Sequence, residues 1–441
     1  MTTRATALAI ARAMLTTPVS RFGMLERMPL CTRFSAEANV ELVDLMLARG
    51  LTSHWTVERL ADELEEEATF HIACDMTEQR PLIHGWFMTR STTLADPPKA
   101  LRAVERPPWP SVGRLAEGLD VSLPGLWRLT RSASWQRQAP LSQQHYRYEL
   151  LPKRTGGWRL LEVPEPYLRT LQRRVLDQLL AHVPPHEAAC AYVRGRSVAD
   201  HARAHAGQAV LLKFDLQDFF ATVRASRVHA TFVELGYPRA VARELMALCT
   251  TATPEPVLER LRAEGGLAWT QAMRLRDAHL PQGAPTSAAL ANLCAFRMDV
   301  RIAGLARSLG ARYTRYADDI VLSGDAGLLR QADRIEARID GFALAEGFAL
   351  NHRKTRRVTR ARRQQVCNIV VNERPNLPRD EFDRLKAQLH RCATLGPAAQ
   401  NRDGHPHWEQ HLRGRVAWAE QLNPQKAQRL RRLLDRIDWA R

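Results

Sequence analysis

Apolar positions along the chain change their period as it proceeds. Between residues 36 and 67, Val40, Leu42, Leu45, Met46, Val57, Leu60 and Leu64 recur at helical spacing among charged residues. That spacing predicts amphipathic helices packed on one face. The run Glu65, Glu66, Glu67 reads as a solvated helix face. The first fifteen residues are acid-free and roughly amphipathic, which predicts a plain first helix in preference to an organelle transit segment. Pro107, Pro108 and Pro110 crowd around Trp109 and predict a linker, because proline interrupts both helical and sheet hydrogen bonding. Residues 112–131 then read as two short helices with Ser122 as an N-cap between them. Such pairs sometimes read DNA and more often only pack.

From Tyr146 the period becomes two. Residues 146–151 and 158–163 flank Gly156 and Gly157, the signature of a β-hairpin. Helices are expected near 165–182 and 226–248. The apolar run Val210, Leu211, Leu212, Lys213, Phe214 reads as a buried strand that ends on Asp215. Further on, residues 313–316 and 320–322 bracket the pair Asp318 and Asp319. Apolar, acid pair, apolar predicts a tight hairpin pushing carboxylates out of a sheet. A last helix over 424–439 is basic and amphipathic, suited to a duplex backbone.

Composition changes this picture in two places. At 441 residues with 45% apolar and 25% charged positions, the chain suits two or three globular domains. It has no apolar run of about 18 residues, so no membrane span is expected. Charge is uneven. Residues 1–140 carry 16 basic and 16 acidic side chains, while residues 141–441 carry 48 and 31. The whole excess of +17 therefore lies on the later part and implies a polyanionic partner there. The seven cysteines are scattered with no Cys-x-x-Cys pair, which argues for a reducing, cytoplasmic setting. His71, Cys74, Cys31, His54 and His84 share a region but repeat no zinc-ligand spacing.

The acids carry the chemistry. Unpaired carboxylates held by apolar strands are costly, by several kcal/mol at about the penalties known for uncompensated charge. A divalent cation removes that penalty. Two ions about 3.5–4 Å apart activate a hydroxyl and stabilise a phosphate leaving group. Mg²⁺ suits such a site, since it takes few carboxylates alongside phosphate oxygens and water; Mn²⁺ is the alternative. Successive strand residues face opposite ways, so one of Asp318 and Asp319 is expected to bind fully and the other to support it, with Asp318 the more direct.

Five stretches in order resemble the reverse transcriptase family, and most closely its bacterial retron branch. YADD at 316–319 resembles the palm hairpin, and FDLQDFF at 214–220 its first metal-binding strand. LPQGAPTS at 280–287 resembles the nucleotide-positioning loop, KRTGGWR at 153–159 the fingers hairpin, and NHRK at 351–354 the lysine-bearing segment. The resemblance covers about residues 110–441. Its retron signatures are altered: HARAH at 201–205 stands where Asn-Ala-x-x-His is usual, and VCN at 366–368 where Val-Thr-Gly is usual. The stretches 369–376 and 411–416 resemble a retron thumb.

The resemblance implies an α+β right-hand polymerase with fingers, palm and thumb. The palm is an antiparallel sheet flanked by helices, and a mainly helical N-terminal extension precedes the hand. The expected boundaries are 1–105 for the extension, 106–209 for pre-fingers helices and fingers, 210–365 for the palm and 366–441 for the thumb. Asp215, Asp318 and Asp319 are the implied metal ligands and catalytic residues. Lys354 is the implied proton donor to pyrophosphate, although its charge alone suits a backbone clamp equally. Lys153, Arg159, Leu216, Gln282 and Phe220 would contact the nucleotide, with Phe220 crowding a 2′-hydroxyl. Arg194, Arg196, His201, His205, Arg413 and Arg415 would contact RNA, alongside Tyr192.

Retron membership implies synthesis of RNA-linked single-stranded DNA from deoxynucleotides. A structured non-coding RNA would act as template and primer, with a separate effector protein in antiphage defence and no membrane. Another bacterial reverse transcriptase, a non-catalytic RNA-binding scaffold and an RNA-templated RNA polymerase are the competing readings.

Overall fold

The computed structural model describes residues 3–16, 19–52, 55–87, 94–98, 101–152, 158–264 and 268–439. It divides into two compact units, one of Met1–Pro97, Pro108–Leu123 and Leu235–Ala242, the other of Pro98–Pro107, Pro124–Glu234 and Arg243–Arg441.

The first unit is helical. Its helices span Thr3–Leu15, Arg21–Cys31, Ala36–Ala48, Val57–Glu65, Ala68–Met76 and Val112–Gly118. Ser20, Ser35 and Thr56 each accept a backbone N–H in the first turn, satisfying donors that a helix start leaves free. Ile10, Met14, Met24, Met28, Leu42, Met46, Leu60 and Phe70 form a core sealed from solvent. The acid-free first helix belongs to this core: Ala7, Ile10 and Met14 are fully buried. Trp109 stacks on Tyr237 with ring centroids 5.9 Å apart. Among the described residues no cluster of metal-ligand type forms near Cys31, His71, Cys74 and His84, and His54 lies outside them.

The second unit holds the strands. β1 (Tyr146–Pro152) and β2 (Trp158–Pro164) form the expected antiparallel hairpin; its Gly156 and Gly157 turn lies outside the described residues. β3 (Val210–Asp215), β4 (Arg312–Tyr316), β5 (Asp319–Gly324) and β6 (Arg356–Thr359) make a four-stranded antiparallel sheet in the order β4-β5-β3-β6. β3 is interior and buried along most of its length, as its apolar run requires. A small hairpin of β7 (Gln365–Val366) and β8 (Ile369–Val370) follows. Cys367 and Asn368 both take positive φ, 45° and 65°, the two-residue turn that matches strand twist.

Three helices close the chain at Arg379–Leu395, Trp408–Leu422 and Pro424–Leu434. They pack through Phe382, Leu389, Leu412, Val416 and Leu430. The architecture is α+β with a helical N-terminal region.

Two element boundaries differ from expectation. The region 226–248 is two helices, Ala225–Glu234 and Arg239–Cys249, because Gly236 takes φ 91° and Pro238 follows it. The last helix stops at Leu434 rather than continuing to 439; Leu434 and Ile437 are buried and the chain turns there to place both.

Candidate polymerase centre

The three acids are brought together by strand register. Asp215 ends β3, Asp319 begins β5, and the two are direct partners across the ladder. Asp318 sits in the turn between β4 and β5, where Ala317 takes φ 56°. The Asp318 carbonyl accepts the Leu216 N–H at 2.9 Å, and the Asp215 carbonyl accepts the Asn351 N–H at 2.7 Å. Backbone bonds thus hold both acid-bearing segments while leaving their carboxylates unoccupied by the sheet.

A buried ion pair supports the turn. Arg315 on β4 and Asp299 on the helix Phe296–Ser308 both have fully buried side chains and approach to 2.6 Å. Asp299 also accepts from the Tyr313 hydroxyl at 2.6 Å. The Arg315 guanidinium donates to the Ala317 carbonyl at 2.9 Å and to Asn292 at 3.1 Å. It therefore braces the strained residue immediately before Asp318. Sequence reasoning missed this pair; an arginine inside an apolar strand pattern was its only signal.

Burial and mutual repulsion act on the acids. Burial, and then the charge of Asp215, push the Asp318 carboxyl above its ordinary range. Among the described residues no basic side chain comes within ion-pair distance of it. Burial also raises the Asp319 carboxyl, with Lys213 opposing; the Lys213 ammonium lies 3.9 Å from Asp319 Oδ2. Lys354 places its ammonium 3.0 Å from both oxygens of Asp215. The three carboxylates act on one another electrostatically, with Lys354 on Asp215 and Lys213 near Asp319, and carboxylate oxygens are the donor type that divalent cations take.

Around the acids, Phe220 is half-buried with its ring 6.3 Å from that of exposed Tyr192. Gln282 is partly exposed, and its carbonyl accepts the Glu162 N–H of β2 at 2.9 Å. Gly283 beside it takes φ 140°, and a Cβ there would lie 2.9 Å from the Glu162 carbonyl oxygen. Only glycine allows the loop this close to β2. Arg159 lies on β2 opposite Leu151; Lys153 lies outside the described residues. Leu216 is 1% exposed and its N–H is committed to Asp318, so its side chain does not reach a nucleotide. Asp218 accepts from Arg274 at 2.8 Å and from Gln271 at 3.1 Å.

The RNA-contact expectations divide. Arg194 is exposed. Arg196, also exposed, donates to the Glu187 and Ala189 carbonyls. Arg413 pairs with Glu409 at 2.7 Å, and half-buried Arg415 donates to Gln388 at 2.8 Å. His201 and His205 are corrected: both are fully buried and cannot touch RNA. His205 bonds Ser323 and Thr314, each at 2.7 Å, and His201 bonds Thr314 at 2.6 Å. Together they fasten the helix Val198–Ala204 to β4 and β5. Burial lowers each imidazole to about 3, so both are neutral.

No described helix is long and apolar enough to cross a membrane. The profile of the reverse transcriptase (RNA-dependent DNA polymerase) family matches residues 151–395. The chain is 37% identical over 368 residues to the retron Mx65 reverse transcriptase of Myxococcus xanthus, covering 81% of this chain and 80% of that protein. It is 33% identical over 300 residues to the retron Mx162 reverse transcriptase of the same organism, covering 64% and 59%. It is 28% identical over 233 residues to the retron Ec86 reverse transcriptase of Escherichia coli, covering 53% and 64%. A solved telomerase from Candida albicans, in complex with a TWJ fragment of telomeric RNA, is 11% identical with a TM-score of 0.35, covering 56% of this chain and 50% of that one; a likeness that low carries no argument. The family match and these relatives agree: the chain belongs to the reverse transcriptase family, is of its retron type, and is an RNA-directed DNA polymerase.

Proposed function

We propose that this polymerase copies part of a cognate structured RNA into a single-stranded DNA that stays joined to that RNA through a 2′ linkage. The observation that carries the reading is the pairing of Asp215 with Asp319 across β3 and β5, with Asp318 in the adjoining turn, in a chain whose relatives are retron enzymes.

In this reading Asp215, Asp318 and Asp319 hold two Mg²⁺ ions, with Mn²⁺ as a substitute. When bound, the ions supply Lewis-acid activation of the attacking hydroxyl and charge stabilisation of the departing pyrophosphate. Asp318, the less neutralised acid, binds more directly than Asp319. Lys354, on the Asp215 carboxylate, releases it and donates a proton to the leaving group. Lys153 and Arg159 close on the triphosphate, Arg159 as a fork and Lys153 as a point charge. Gln282 offers its amide to the incoming nucleotide. Phe220 crowds the 2′ position and selects deoxynucleotides.

Exposed Arg194 and Tyr192, with the basic thumb helices, grip folded RNA and the growing duplex through phosphate contacts and stacking. The proposed hand divides as extension, fingers, palm and thumb at about 105, 209 and 365. A separate effector protein and a role in antiphage defence complete the reading.

The test is to express the chain with its flanking intergenic DNA and extract nucleic acid from the purified protein. RNase digestion, debranching and sequencing should reveal a short DNA joined to a structured RNA at a 2′-hydroxyl. Recovery of DNA made only from annealed primers would leave a reverse transcriptase without the RNA-linked product.

A further inference from the structure

Three side chains that polymerisation does not use as a group meet beside the acid turn. One ring nitrogen of His201, a carboxylate oxygen of Asp319 and the Cys367 sulfur all lie within 4.8 Å of one another. Each comes from a constrained element. His201 sits on the helix Val198–Ala204, whose start is fixed by reciprocal Ser197 and Asp200 bonds. Asp319 opens β5. Cys367 occupies the two-residue turn between β7 and β8. The Cys367 thiol already points at Asp319 Oδ2, 3.5 Å away.

One ring nitrogen of His201 is bare. Nδ1 of His201 is taken by Thr314 Oγ1 at 2.6 Å. Nε2 of His201 is buried with no hydrogen-bond partner among the described residues. One proton order satisfies the whole chain: His201 Nδ1–H donates to Thr314, Thr314 donates to His205 Nε2, and His205 Nδ1–H donates to Ser323. It leaves a lone pair on His201 Nε2. Metal-bound histidines carry this same arrangement, with the other ring N–H held by a fixed acceptor.

We propose that His201, Asp319 and Cys367 bind Zn²⁺, and that the bound ion halts polymerisation by withdrawing Asp319 from the nucleotide-transfer centre. The halting rests on the polymerase reading above; the site does not. Imidazole and thiolate select Zn²⁺ over Mg²⁺. Tetrahedral zinc at about 2.0–2.3 Å from each ligand requires the three atoms to draw together by about 1 Å, within the reach of side-chain rotation. The thiol proton leaves to solvent on binding, and water fills the fourth position. Lys213, 3.9 Å from Asp319 Oδ2, must swing aside as the ion enters.

Co²⁺ titration of the full-length protein reads the site without any need for activity. The wild type should gain a thiolate-to-cobalt absorption band with one equivalent, and Zn²⁺ should abolish it. Cys367→Thr should lack the band, and His201→Asn should bind at least about 10-fold more weakly. A wild type with no band, or an equal band in Cys367→Thr, overturns the site. In Mg²⁺-supported DNA synthesis, added Zn²⁺ should stop the wild type at a concentration about 10-fold below that for Cys367→Thr. Equal sensitivity overturns the switch. A cobalt band in a protein that makes no DNA in Mg²⁺ alone overturns the polymerase reading and the switch together, while the site stands.

Discussion

The Lys354 ammonium lies 3.0 Å from each carboxylate oxygen of Asp215. The lysine belongs to a short turn, His352–Lys354, whose preceding residue Asn351 donates its N–H to the Asp215 carbonyl. Backbone and side chain of one short segment thus engage both ends of the same acid. In the proposed function, metal held by Asp215 would take this partner from the lysine and leave it to protonate the departing phosphate. Lys354→Ala should therefore slow single-turnover nucleotide addition by about 10²-fold or more, the usual contribution of a positioned proton donor. Template RNA affinity should change only a few-fold. A rate equal to wild type would assign Lys354 to backbone binding.

The Arg315–Asp299 pair makes a stability prediction. Both side chains are sealed from solvent, and removal of one leaves the other charge buried and alone. Asp299→Ala should lower the unfolding free energy by about 3–5 kcal/mol, measured by urea denaturation. Asp299→Ala in an Arg315→Met background should lose much less, since no orphaned charge remains. Equal losses in the two backgrounds would show that the pair is not coupled.

How much of this was legible in the sequence depends on what each residue needed. The strand ending on Asp215 and the Asp318, Asp319 hairpin were legible because apolar runs and acids alternate sharply there. The helical N-terminal region followed from spacing alone. His201 and His205 were misread as RNA contacts: the resemblance of residues 201–205 to a retron signature suggested that role, whereas Thr314 and Ser323, over a hundred residues away, bond both rings inside the fold. The Arg315–Asp299 pair and the approach of Cys367 to Asp319 join different elements of the fold, so no spacing along the chain announces either contact. The end of the last helix was missed because buried Ile437 sits at a spacing that also suits a longer helix.

Buried neutral histidine has a pH consequence. Burial, aided by the charge of Arg312, lowers His205 to about 3, against about 6.5 in an unfolded chain. The unfolded state therefore takes up the proton first as pH falls, so this stability is complete above about pH 6.5 and erodes below it. Between pH 7 and pH 5 the stability advantage of wild type over His205→Asn should shrink by up to about 2 kcal/mol. Urea unfolding at the two pH values measures it; a constant difference would mean that the ring is charged or exposed.

The proposed sugar gate is the Phe220 ring. Phe220→Ala should admit ribonucleotides, lowering the preference for deoxynucleotides by at least about 10-fold, on the scale of a lost steric contact worth 1–3 kcal/mol. Competition between dNTP and NTP on an RNA template reads the ratio. A ratio unchanged by the substitution would place sugar discrimination elsewhere in the fold.

Primer extension on an RNA template, by wild type and by Asp318→Asn with RNA binding assayed in parallel, tests the central claim most directly. The wild type should make DNA only with a divalent cation present. Asp318→Asn should make none while holding RNA within a few-fold of wild type. DNA synthesis that persists in Asp318→Asn would contradict the assignment of the metal-binding centre to the turn between β4 and β5.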